Sequence, residues 1–301
     1  MNHATTADSP APAPPNTSKR PLPSLEQALA VRTGSVVDVR SRSPGVSDEW
    51  LPEIERICRG FGERPAGTPC PEAIFAVPFD AEQVAVVQVA DETPPTVGSP
   101  EPALIFYFLI LHREVYRHVP DPFDLVRRFP RPTRADVTLS WVGELPRPRQ
   151  VAELRAILEH GEGPFLLGAV QLLVDGGYLA IVRPQPDAAI VHALWQLLPS
   201  ASQAEIWPAT FAFGNALGFH LLVVPQLDRQ LPEFTAVHDE ESVRDYPEGR
   251  YELSLQSAVE AGDQRWLDAL LARRSSQQTL RLVGVLLVGV LVLALVSRAL
   301  Q

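Results

Sequence analysis

The sequence predicts a mixed α/β (α+β) fold, a layered mixed sheet with helices, followed by one C-terminal transmembrane helix. Three observations predict it. Short apolar runs of strand character fill the first half of the chain. In the second half, helical and strand periodicities alternate, as a layered α/β structure requires. The run Leu282–Ser297 then carries no charge at all.

Residues 1–24 are rich in Pro, Ala, Ser and Thr and hold little apolar surface to offset the entropy of ordering, which predicts a disordered tail. Residues 25–135 are expected to form a first α/β sub-domain. Within it, SVVDVRSRS (Ser35–Ser43) alternates like a half-buried strand that ends at Pro44-Gly45. Ser47 is placed to cap a helix running from Asp48 to about Phe61, with Asp48 and Glu49 in its first turn. AIFAVPF (Ala73–Phe79) and VAVVQVA (Val84–Ala90) read as strands joined by a short turn at residues 80–83. The long run ALIFYFLILHREVY has the aromatic and β-branched content of a buried central strand and is too short to span a bilayer.

Pro130, Pro132, Pro146 and Pro148 mark the expected sub-domain boundary, with only VTLSWVG strand-like between them. A second α/β sub-domain is expected over residues 136–230. It comprises a helix through Val151, Leu154, Ile157 and Leu158, and a strongly apolar helix ending at Gly176-Gly177. The strand YLAIVRP, a helix over Asp187–Leu198, and the strands ATFAFG and FHLLVVP complete it. Residues 231–250 read as a polar linker, 251–278 as an amphipathic helix, and 279–298 as a transmembrane tail anchor.

Arg281 and Arg298 bracket the anchor. Leu282, Val283, Val285, Leu286, Leu287, Val288, Val290, Leu291, Val292, Leu293, Leu295 and Val296 supply its apolar surface on every side of the helix. As a helix, the run covers about 24 Å, against a hydrocarbon core of about 30 Å. Snorkelling of the flanking arginines extends it. Arg273, Arg274 and Arg281 precede the run and Arg298 alone follows it, which predicts a single-pass protein with its domain facing the cytoplasm. Membrane lipid is therefore the expected partner of residues 282–297.

The formal net charge is −10, which opposes binding to nucleic-acid phosphates. Cys58 and Cys70 are too few for a disulfide framework and have no metal-ligand spacing around them, so two reduced thiols are expected. The chain has no phosphate loop, dinucleotide fingerprint, H-E-x-x-H or nucleophile elbow. GNALG (Gly214–Gly218) lacks the phosphate-loop lysine and reads as a turn between strands. His112, Glu114 and His118 are the nearest approach to an acid–base or metal cluster, because His112 and Glu114 would share a face of one strand. Arg127, Arg128, Arg131 and Arg134, with Arg147 and Arg149, form a basic cluster. It reads either as a solvated face or as a surface for anionic headgroups.

The second half carries a resemblance. An apolar helix with a DG turn (Leu172–Gly177), the phrase Leu197-Leu198-Pro199 and the pair Thr210-Phe211 occur in that order. Earlier come SRSPGVSDEWL and HREVYRHVPDPFDLV. Over about residues 30–230 the chain resembles the N-terminal domain of bacterial GTPase-associated proteins. It departs from their pattern in having no arginine in Ser200–Ala204. The resemblance implies an adaptor working beside small GTPases in bacterial signalling or conflict systems, and it implies no catalytic residues. The expectation is a membrane-anchored, non-enzymatic adaptor that binds a cytosolic protein, a small GTPase being the class that the resemblance implies, and uses no cofactor. The alternative is a membrane-bound hydrolase or metalloenzyme using His112 and Glu114, with Asp38 or His220 as further groups. A third reading is a structural envelope protein without a pocket.

Overall fold

Strand-forming and helix-forming residues assemble into one mixed sheet flanked by helices. The computed structural model describes residues 24–92, 103–140, 148–160 and 162–272. Residues 1–23 of the expected tail, the residues WVG of VTLSWVG, Arg147 and the expected anchor from Arg281 to Arg298 lie outside the described residues, whereas Ser24, expected in the tail, begins the first strand. Among the described residues no helix is long and apolar enough to cross a membrane.

In chain order the first half contributes β1 (Ser24–Thr33), β2 (Val36–Arg42), α1 (Leu51–Gly60), β3 (Ala73–Pro78), β4 (Gln83–Asp91), β5 (Leu104–His112), α2 (Arg113–Tyr116), α3 (Pro122–Arg128) and β6 (Leu139–Ser140). The second half adds α4 (Val151–His160), α5 (Gly163–Val174), β7 (Tyr178–Val182), α6 (Ala188–Leu197), α7 (Ser200–Gln203), β8 (Pro208–Ala209) and β9 (Leu221–Val224). The described chain closes with β10 (Val237–His238), α8 (Glu240–Arg244), α9 (Arg250–Ala261) and α10 (Gln264–Leu271).

Among the described residues the strands form one 10-stranded sheet, ordered β10-β7-β9-β8-β3-β4-β5-β1-β2, with β6 paired to the start of β1. The strands from β3 to β2 along this order pair antiparallel, while β10, β7, β9 and β8 pair parallel. The two regimes meet where β3 pairs antiparallel with β8, at Phe75 and Ala209. Strands from both sides of the expected sub-domain boundary therefore share one sheet. β3, β4 and β5 lie in its interior and are buried along almost their whole length, as their unbroken apolar runs require. α1 packs on β1 and β2, α3 on β3 and β4, and α5 on β7.

Several local outcomes differ from the sequence pattern. β1 carries the buried polar residues Gln27 and Arg32, which break the apolar alternation. Arg32 donates to Cys58 O at 2.6 Å and Gly62 O at 2.8 Å, so it satisfies carbonyls that the end of α1 leaves open. ATFAFG extends as a strand only at its first residue, Ala209. The expected linker over 231–250 contains β10 and α8, the latter closed by a capping box between Asp239 and Ser242. The expected single helix over 251–278 is broken, within its described part, at Gly262. Its φ of 68° is left-handed, and Asp263 then caps α10.

Candidate functional site

A groove of about 1220 Å³ opens between α3, α4, α6, α7 and the end of α10. One wall begins with Asp121-Pro122, a side-chain cap followed by a residue with no amide hydrogen to satisfy. Asp121 Oδ1 accepts from Phe123 N at 2.8 Å and fixes the start of α3. Its Oδ2 lies 2.9 Å from Nδ1 of His192 on α6. The contact is an ion pair only when His192 carries its second proton. The Asp121 side chain is 4% exposed and that of His192 is 40% exposed. Contact with the Asp121 carboxylate, then its charge, raises the His192 pKa above the ordinary value, against the opposing effect of burial.

The same wall is stiffened by aromatic packing. The Phe123 ring meets His192 and Trp195 edge-on, with centroids at 6.4 and 6.2 Å. Trp195 Nε1 donates to Pro120 O at 3.1 Å. Tyr116 lines the groove with its hydroxyl buried and without a partner, and burial raises its pKa.

The opposite wall is organised by Arg149. Its guanidinium donates to Gln196 O at 2.8 Å, Leu198 O at 2.5 Å and Ser200 Oγ at 3.0 Å. These bonds close the C-terminal end of α6, where a helix leaves carbonyls unpaired and favours a cation. Burial lowers the Arg149 pKa from its ordinary value. Arg149 therefore belongs to the helix end and is withdrawn from the exposed basic cluster in which the sequence groups it. Gln264 of α10 ties this wall to α4, donating to Arg149 O and accepting from Val151 N, both at 2.9 Å. Leu154, Ile157 and Leu271 give the groove its apolar surface, and Arg117, Asp124, Arg127, Glu153 and Asp268 give its charged one.

The other residues singled out by sequence do not come together. His112 ends β5, and its Nδ1 accepts from Glu114 N at 3.2 Å as the cap of α2. The chain turns helical at Arg113, so His112 and Glu114 never share a strand face. Glu114 pairs with Arg117 at 2.6 Å. Asp38 lies on the edge strand β2. His220 accepts from Trp207 N at 3.2 Å and stacks on Tyr178 at 4.8 Å, and burial lowers its pKa. Of this set only His118 lines the groove. Cys58 and Cys70 are free and buried, and burial raises both thiol pKa values, that of Cys70 to about 12. Neither is a thiolate nucleophile under those conditions. In Gly214–Gly218, Asn215 N donates to Glu233 Oε1 at 2.8 Å, so a carboxylate already occupies the amide that a phosphate would need.

An aspartate–histidine pair is half of a general-base arrangement. The rest of such an arrangement is missing among the described residues, where His192 hydrogen-bonds no serine, threonine or cysteine. Among the described residues no group of three or more His, Cys, Asp and Glu side chains is placed to hold a metal ion. The groove is a mixed polar and apolar trough. Asp121 had a local signal in its Asp-Pro helix start. His192 and Arg149 had none, because their partners come from distant parts of the chain. Protein-family models and curated proteins were both compared with the chain, and neither gives a match.

Proposed function

We propose that this protein is a membrane-anchored, non-enzymatic adaptor whose groove receives a segment of a partner protein. The observation that carries the reading is the position of the groove: Leu271 and Ala272, the last described residues, form part of its lining. Residues 273–281 cover at most about 30 Å when fully extended, and the uncharged run Leu282–Ser297 follows them. With that run in a bilayer, the groove is tethered close to the membrane surface on the cytoplasmic side.

The occupant is argued from size and lining. A volume of about 1220 Å³ is above the usual range of small-molecule pockets, roughly 300–1,000 Å³. Apolar side chains framed by charges of both signs suit a peptide segment with an apolar anchor and a polar rim. A small GTPase is the partner class that the sequence resemblance implies.

The test is capture from detergent extracts with the full chain and with an Ile157→Glu variant, which puts a charge into the apolar part of the groove. One stoichiometric partner is expected, with recovery at least about tenfold lower for the variant, equivalent to about 1.4 kcal/mol. Exchanging GDP for a non-hydrolysable GTP analogue should change recovery if the partner is a GTPase. Equal recovery by both forms of the chain would remove the groove as the binding surface.

A further inference from the structure

We infer that the arginine face formed by the end of α3 and the segment after it docks onto anionic lipid headgroups. The inference rests on the anchor reading above and adds an orientation to it. Arg127, Arg128, Arg131 and Arg134 are all exposed, and no acidic residue falls between residues 127 and 134 in sequence; Arg127 pairs with Asp124, Arg134 reaches Asp136, and Arg128 has a partner of its own. This local excess of positive charge stands in a chain whose formal net charge is −10.

A helix C-terminus attracts cations for its own sake, which accounts for Arg127 and Arg128 in the last turn of α3. That effect fades within one turn and leaves Arg131 and Arg134 unexplained. Arg131 is in no ion pair among the described residues. Arg134 reaches Asp136 at 3.4 Å with both side chains at least half exposed, a contact worth little in water. The Arg127–Asp124 pair is equally exposed.

Location supplies the second observation. Asp124 and Arg127 line the same groove as Leu271 and Ala272. Arg127, the first residue of the arginine face, therefore lines the same groove as the residues after which Arg273 and Arg274 follow in sequence. An anionic bilayer attracts this face and repels the acidic remainder of the domain. Both forces act within a Debye length of about 8–10 Å, a distance that the tether allows. The bound orientation turns α3 toward the membrane.

The experiment uses the full chain inserted into vesicles of phosphatidylcholine, with or without about 30% phosphatidylserine. A Thr133→Cys substitution places a dye on the exposed loop between Arg131 and Arg134, while the buried Cys58 and Cys70 stay unlabelled. Energy transfer from that dye to a headgroup-labelled lipid reports docking, and resistance to alkaline carbonate extraction reports the anchor. Transfer should be higher in the anionic vesicles and fall as salt rises from about 0.05 to about 0.5 M. Arg131→Ala with Arg134→Ala should lower the docked-to-undocked ratio roughly thirtyfold, at about fivefold per arginine, and the lysine pair should restore it. Carbonate-resistant protein with equal transfer in both vesicle types would overturn docking and leave the anchor standing. Lipid-dependent transfer unchanged by the alanine pair would overturn the assignment to these arginines. Protein stripped by carbonate would overturn the anchor reading, and this inference with it.

Discussion

His192 shows how one side chain makes a groove wall respond to proton concentration. Its pKa is raised in the folded protein by Asp121, above an unfolded value of about 6.5. A raised pKa means that the folded state holds the proton more tightly. The stabilisation is therefore complete below about pH 6.5 and is lost as pH rises through the folded pKa. Urea midpoints of the wild type and His192→Gln, compared from about pH 6 to about pH 8, should converge as pH rises. Parallel profiles would show that the pair adds no pH-dependent stability. None of this was legible in the sequence, where His192 and Gln196 are the two polar positions of a largely apolar helix and Asp121 lies far upstream. The helix α3 was not read from the sequence, although Asp121-Pro122 is a local start signal, and the imidazole beside Asp121 is placed there by the fold.

At the scale of elements, apolar period was informative and the satisfaction of helix ends was not. β3, β4 and β5 were readable because each is a run of apolar and β-branched residues bounded by turn residues. α9 and α10 were merged in the sequence pattern because Leu255, Val259, Leu267 and Leu270 keep helical spacing across the break. Only Gly262-Asp263 marks the stop and restart. The start of α9 has no side-chain cap of its own. Gln171, from the middle of α5, supplies one: its Oε1 accepts from Tyr251 N and Glu252 N, both at 3.1 Å, and its Nε2 donates to Asp175 at 2.9 Å. A Cβ on Gly249 would lie 2.0 Å from the Gln171 side chain, so the close approach depends on that glycine. Gln171→Leu keeps the volume and strands two amides. Urea denaturation should show a loss of about 1–3 kcal/mol. A loss below about 0.5 kcal/mol would mean that water replaces the cap.

For the whole molecule, the groove and the anchor are readable to different degrees. The proposed anchor is a matter of composition, since the run Leu282–Ser297 holds no charged residue, and it needs no tertiary information to be proposed. Replacing Val288 and Leu291 with arginine adds roughly 5–7 kcal/mol to insertion on translocon scales. Fractionation should then find the protein in the soluble fraction, and continued membrane association would refute the anchor. The groove was invisible because α3, α4, α6 and α10, which line it, lie far apart in the sequence. The two halves of the sheet join only at the narrow junction of β3 with β8. Beyond the single paired position, it is fastened by Ile74 N donating to Thr210 Oγ1 at 2.8 Å and Thr210 N donating to Ile74 O at 2.9 Å. These partners are 136 residues apart in sequence. Each flanking half can gather its own nearby pairings early, whereas the junction must wait for a long chain closure that few contacts reward. Assembly speed should thus be governed at Ile74 and Thr210. Until they meet, the exposed β3 edge is the place where one nascent chain can capture another.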